Sequence, residues 1–205
     1  MNKIFIHFYR REHKLIDKKS AVFNAGRDLF LLKGFKAVNV SDITKQAGMS
    51  VGTFYNYYVS KEELFSDIYR KENEMAKKAI MDAINIDDDP VSIAISFVSE
   101  VMNTLQSNLI LKEWYNRDVM GDLEKTYRNE ENKNESFVYV FFKGLLKKWR
   151  AEGKIRSDID DSHVLGLYDS LIFLDTHKDE ATFDPVVMQL LVEFVMKGIT
   201  DFKKE

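Results

Sequence analysis

The sequence predicts an all-α protein of about nine helices, with a three-helix N-terminal domain followed by a larger helical domain. Three observations carry this. Only two prolines (Pro90 and Pro185) and nine glycines interrupt 205 residues, too few for a sandwich or a loop-rich fold. Apolar residues recur at three- and four-residue steps along most of the chain, and no segment shows a convincing strand alternation. Two short helical patterns within Val40–Lys61 meet at Gly48, the layout of a helix-turn-helix.

Taken in order, residues 1–17 are basic and aromatic without a clear period, and read as an N-terminal basic extension, either a flexible arm or a helical continuation. From Lys18, the residues Val22, Ala25, Leu29 and Leu32 form an apolar stripe with Phe30 beside it, and Gly34 ends the helix as a glycine cap. Asn39 opens the next helix, where its side chain can accept from the backbone N–H of Asp42. Val40, Ile43 and Ala47 make the apolar side of that helix. Gly48 breaks it, and Ser50 caps a third helix running to about Tyr57. Ser60 and Glu63 then form a capping box that starts a long fourth helix through Phe65, Ile68, Tyr69 and Ile80.

Asp87-Asp88-Asp89-Pro90 is the next start, with acids at the positive end of the helix and proline at its first position. Ile93, Phe97, Val101 and Leu105 follow, then a shorter apolar segment from Leu109 to Tyr115. Residues 125–136 are strongly polar and read as exposed, either continuing a helix or interrupting one. Val138, Phe142, Leu145 and Trp149 make a helical stripe that Gly153 ends. The last two helices carry Val164, Leu167, Tyr168 and Leu171, and, from Asp184-Pro185, Leu190, Leu191, Phe194 and Gly198. The domain boundaries read from these patterns are 1–17, 18–65 and 66–205.

Charge divides the chain in the same place. Residues 1–61 hold 11 Lys/Arg against 4 Asp/Glu, net +7, and residues 62–205 hold 19 against 29, net −10. A basic head on an acidic body points to a polyanion that meets only the head. There is no cysteine, which removes disulfides, thiolate metal sites and cysteine nucleophiles together. The apolar run Ile4–Tyr9 is too short for a signal peptide, and no window approaches a membrane-spanning length, so the expected setting is the cytoplasm.

A helix-turn-helix places its second helix in the major groove, with the N-terminal end toward base edges. Here that helix carries Gly52, Thr53, Tyr55, Asn56 and Tyr57. Glycine in a helix costs about 1 kcal/mol relative to alanine, a cost that makes sense where a backbone must come close to DNA, or alternatively to a neighbouring helix. Thr53 and Asn56 suit base edges, Asn being matched to adenine, and Tyr55 suits a thymine methyl or a sugar. Tyr57 can reach a phosphate, as can Lys61 in the first turn of the fourth helix. Tyr58, four residues after Phe54, reads as core.

Residues 18–65 resemble the DNA-binding domain of the TetR family of transcriptional regulators. The resemblance rests on Ala25 and Phe30 to Gly34-Phe35, on Val40-Ser41-Asp42-Ile43 with Ala47-Gly48-Met49-Ser50, and on Gly52 to Tyr58 with Ser60 to Phe65. It implies a third helix that reads a palindromic operator in double-stranded DNA, with Lys61 on the backbone. It further implies DNA contacts among Ser41, Ser50, Val51, Gly52, Thr53, Tyr55, Asn56 and Tyr57. Val51 and Ser41 are apolar or small where many members carry a basic or polar group.

Residues 66–205 match the family only in layout. The apolar faces of the last two helices are too wide for a lone pair, and a two-fold bundle with a second copy would bury them. The expected homodimer interface comprises Val164, Leu167, Leu171, Leu190, Leu191, Phe194 and Gly198. Large aromatics fill the middle helices; most are core, and the family's habit of enclosing a small-molecule effector there selects Phe97, Met102, Trp114, Phe137, Phe141 and Tyr168 as pocket candidates. Asn103, His163 and Asp169 are polar candidates nearby. The aromatic excess favours an apolar or aromatic effector. Repression is the family's usual mode.

An enzyme is the main rival, but no metal-binding histidine spacing, P-loop or dinucleotide glycine pattern occurs, so no catalytic residue, metal or cofactor is expected. His163 and His177 read as solvated or core residues. The other alternative is a helix-turn-helix protein acting mainly through protein partners, without a small-molecule inducer.

Overall fold

The computed structural model describes residues 3–116, 119, 121, 137–176 and 184–200. Among them are nine α-helices and no strand. These are α1 (Lys3–Lys33), α2 (Val40–Gln46), α3 (Val51–Phe54), α4 (Lys61–Ala83), α5 (Pro90–Ser107), α6 (Leu109–Lys112), α7 (Phe137–Ala151), α8 (Asp161–Thr176) and α9 (Pro185–Thr200). A single 3-10 turn, Glu113–Tyr115, follows α6. The polar segment 125–136 lies outside the described residues. The chain divides into two units, Met1–Asn73 with Asn108–Glu113, and Glu74–Ser107 with Trp114–Glu205.

In the first unit, α1 is continuous from Lys3, so the basic extension is helical from that residue on. Gly34 ends the helix at φ +76°, its N–H donating to the Phe30 carbonyl at 2.9 Å. Phe30, Phe35 and Phe65 form the centre of the core, with the Phe65 ring 5.2 Å from Phe30 and 4.8 Å from Phe35. Leu32 is not part of it. The buried face of α1 runs through Val22, Leu29 and Phe30, which turns Leu32 outward to 73% exposure.

Two long-range features lock this unit. Gly26 is buried against α4, where a Cβ would lie 2.8 Å from Leu64 Cδ2 and 3.2 Å from Ile68 Cδ1. Glu72 on α4 is buried and accepts from Arg27 Nε at 2.6 Å and from Asn108 Nδ2 at 2.8 Å. Burying a carboxylate is tolerable only when it is paired and bonded in this way. Asn108 Oδ1 in turn accepts from the backbone N–H groups of Ile110 and Leu111, capping α6.

In the second unit, α5 starts where the sequence placed it. Asp89 accepts from the N–H groups of Val91 and Ser92 and from the Ser92 hydroxyl, which holds its carboxyl below the usual range. Asp87 pairs with Lys148 Nζ of α7 at 2.6 Å. Trp149 is fully buried in a core with Ile80, Ile84, Ile93, Ile155 and Val164. α9 packs chiefly along α5. Val164, expected at a dimer interface, is 1% exposed inside this core. α8 is apolar nearly all round, so its sequence did not say which face turns inward.

Candidate nucleic-acid interface

The helix-turn-helix is assembled by local caps and one anchor. Asn39 Oδ1 accepts from the Asp42 N–H at 2.9 Å, and Asp42 Oδ2 accepts from the Asn39 N–H at 3.2 Å, a reciprocal pair that fixes the start of α2. Gly48 makes the turn at φ +66°, where a side chain would be strained. Ser50 caps α3, its Oγ accepting from the Thr53 N–H at 3.3 Å. Phe54 is fully buried and sets the roll of the helix, with Tyr58 behind it at 6.0 Å between ring centroids. Burial pushes the Tyr58 hydroxyl up to about 12, with Asp67 and Glu63 adding to the effect.

With Phe54 inward, Val51, Gly52, Tyr55 and Asn56 all face out. Val51 is 42% and Tyr55 54% exposed. The open surface around Gly52 decides one question, because the nearest atom to an added Cβ is Ser50 Oγ at 4.0 Å and no neighbouring helix is close. Gly52 is therefore not a helix-packing glycine. Tyr57 is half-buried, and the Thr53 hydroxyl lies 2.9 Å from Ser50 Oγ, tied into the cap. Ser41 is exposed on α2.

Lys61 takes a different path from the one expected. Its ammonium turns inward, donating to the Phe35 carbonyl at 3.1 Å and the Val38 carbonyl at 2.9 Å, and lies 3.9 Å from the Phe35 ring centroid. It braces the α1–α2 loop with two of its three donors. Glu63 also differs in detail. Its N–H donates to Ser60 Oγ at 3.2 Å, but its carboxylate accepts from Val59 N–H rather than from Ser60. One residue that sequence reasoning missed, Val59, follows this segment directly. It is 79% exposed, and Lys19 Nζ lies 5.2 Å from the Tyr58 ring centroid.

The other expected sites lie in the second unit. Phe97 and Phe141 are half-buried against its core, and Met102 and Trp114 are half-buried. The Phe137 side chain lies outside the described residues. Tyr168 stacks on Phe142 with centroids 4.5 Å apart and lies 6.2 Å from Tyr139. Burial, then Asp169 and Tyr139, drives its hydroxyl pKa well up. Trp149 Nε1 is buried without a hydrogen-bond partner among the described residues. His163 is exposed and paired with Asp160 at 3.0 Å, Asn103 is exposed, and no metal-binding cluster occurs among the described residues. Of the remaining interface candidates, Leu167, Leu190 and Phe194 are exposed, whereas Leu171 and Leu191 are half-buried. Gly198 is open, and its carbonyl accepts from Arg156 Nη1 at 3.1 Å. Leu174, Val186 and Val187 enlarge the exposed apolar surface of α8 and α9.

A glycine turn between two capped helices, the second with its polar and aromatic side outward, is the architecture of a helix-turn-helix DNA-binding protein. A sequence profile for bacterial regulatory proteins of the tetR family matches residues 22–68. The uncharacterized HTH-type transcriptional regulator YhgD of Bacillus subtilis is 25% identical over 193 residues, spanning 90% of this chain and 98% of that one. The HTH-type transcriptional repressor KstR2 of Rhodococcus jostii is 24% identical over 146 residues, 70% of each chain. The fold matches that of RolR, solved in complex with resorcinol, with a TM-score of 0.55 at 15% identity, over 92% of this chain and 90% of that one. Residues 22–68 are thus a helix-turn-helix DNA-binding domain of the tetR family of transcriptional regulators. Among the described residues, no helix is long and apolar enough to cross a membrane.

Proposed function

We propose that this regulator is a cytoplasmic repressor that binds a palindromic operator as a homodimer and is released by a small apolar or aromatic effector. The observation that carries the reading is Gly52, set in a capped, anchored helix where no atom of the described residues comes nearer than 4.0 Å to an added Cβ. Around it, Val51, Tyr55 and Asn56 are exposed, with the Tyr55 ring edge-on to the buried Phe54 at 5.3 Å. On this reading residues 18–65 bind DNA, and 66–205 bind the effector and the second copy. Ser41, Ser50, Thr53 and Tyr57 support the protein on the duplex, and the remaining donor of Lys61 reaches a phosphate.

Pairing of two copies is supported by the exposed face of Leu167, Leu190 and Phe194 beside the open Gly198. Leu190, Phe194 and Gly198 recur every four residues on one side of α9, and large exposed apolar side chains of this kind mark an interface. A two-fold dimer supplies the paired reading helices that a palindrome needs. An effector site among Phe97, Phe141 and Tyr168 is supported by the stacked aromatics and by the unpaired Trp149 Nε1, which would donate to an acceptor on the ligand. Coupling would run along α4, which contributes to both units.

The test is selection of duplexes from a random pool by the purified full chain. The expected result is a two-fold symmetric site bound by two chains, with binding that weakens steeply as salt rises. Recovery of no preferred sequence would refute the reading and favour a protein-binding role for the same face.

A further inference from the structure

We infer that each operator half-site is read at A·T pairs, with thymine methyls against Val51 and Tyr55 and an adenine held by Asn56. This deepens the proposed DNA-binding reading and rests on it. The first observation is chemical. From Ser50 to Ser60 the chain contains no lysine, arginine, aspartate or glutamate. Guanine is most often read by a bidentate arginine or lysine, and cytosine by an acidic acceptor. The reading segment has neither.

The second observation is geometric. Lys61, the cation that follows the segment, is drawn back to the Phe35 and Val38 carbonyls. Lys45 lies on α2, the helix that crosses the backbone in this architecture. Val51 is the first residue of α3, the end that points toward base edges, and Tyr55 follows four residues later on the same side. Both are exposed where an apolar or aromatic surface has nothing to gain from water. Of the base edges in the major groove, only thymine offers a methyl group to such a surface. Asn56 is exposed beside them, and its amide matches the N6 and N7 pattern of adenine. Thr53, whose hydroxyl is held by Ser50 Oγ, is the less available reader.

The experiment uses the full chain and the site selected from random duplexes. Thymines are replaced one at a time by deoxyuridine, which removes only the methyl group. At one or two positions per half-site, affinity should fall about 4-fold, the factor that follows from losing one buried methyl. Val51→Ala should lower affinity for the thymine duplex and abolish the deoxyuridine effect at its own position. A purely structural role for Val51 would leave that effect intact. The circular dichroism and melting temperature of Val51→Ala establish that the variant is folded. Should it fail to fold, the deoxyuridine series on the wild-type chain decides alone. A selected site with G·C pairs at the centre of each half-site, or uniform indifference to deoxyuridine, would overturn the inference while leaving DNA binding intact. Failure to select any site would remove the DNA-binding reading, and this inference with it.

Discussion

The same substitution, glycine to alanine, should have opposite consequences at two positions of the first unit. At Gly26 an added Cβ would sit 2.8 Å from Leu64 Cδ2, 3.2 Å from Ile68 Cδ1 and 3.4 Å from Leu64 Cγ. Carbon atoms attract best at about 3.5–4.0 Å, so the closest contact is roughly 0.7 Å too near. Leu64 and Ile68 are both fully buried and have little room to retreat. Overpacking of this kind costs about 1–3 kcal/mol, and the better helix propensity of alanine returns up to about 1 kcal/mol. Gly26→Ala should therefore lose between about 0 and 3 kcal/mol, centred near 1–2 because the closest contact is so short, read as a lower urea midpoint at an unchanged slope. At Gly52 the nearest atom is 4.0 Å away and φ is not positive, so Gly52→Ala should leave the midpoint unchanged or raise it. Its DNA affinity should fall at least tenfold while the affinity of Gly26→Ala, measured where it is folded, stays near wild type. A stabilising Gly26→Ala would refute the packing argument. An unchanged DNA affinity in Gly52→Ala would refute the claim that this open glycine serves a close approach to DNA.

Asn108→Ala removes both the α6 cap and a hydrogen bond to the buried Glu72 carboxylate, and should cost about 2–3 kcal/mol in urea unfolding. Phe194→Lys places a charge on the most exposed aromatic of α9, at 64% exposure, and should leave the protein monomeric in sedimentation at concentrations where the wild type pairs. Because a two-fold interface carries the change twice, dimer affinity should fall by about 10³-fold or more. The Ser162 hydroxyl and the His163 N–H hold the Asp160 carboxyl down at about 2, so its capping of α8 contributes fully above about pH 4, the unfolded value. That contribution should be lost as pH falls from about 4 to 2, and Asp160→Ala should flatten this part of a plot of urea midpoint against pH.

Much of the head was legible because its signals are local. The Asn39 cap, the Gly34 and Gly48 turns and the Ser60–Glu63 cap each depend on residues within about four positions. The inward contacts of Lys61 were not legible because its carbonyl partners are 26 and 23 residues away, beyond any pattern along the chain. The Gly26 contact and the Arg27–Glu72–Asn108 network are invisible for the same reason. The body was less legible where helices are apolar on more than one side. In α8, Val164 and Leu167 are three residues apart and look equivalent in sequence, yet the core takes Val164 and leaves Leu167 out. Among the described residues, neither Gly166 nor Gly198 has any atom within 4 Å of an added Cβ.

The most direct test compares selected with scrambled duplex for the wild-type chain and Asn56→Ala. Phosphate contacts set non-specific affinity, whereas base contacts set the ratio between the two duplexes. The wild type should prefer the selected duplex by about 10³-fold or more. Asn56→Ala should reduce that ratio at least tenfold, with the affinity for scrambled DNA and its salt slope unchanged. An unchanged ratio, or an equal loss on both duplexes, would contradict the assignment of the exposed side of α3 as the surface that reads bases.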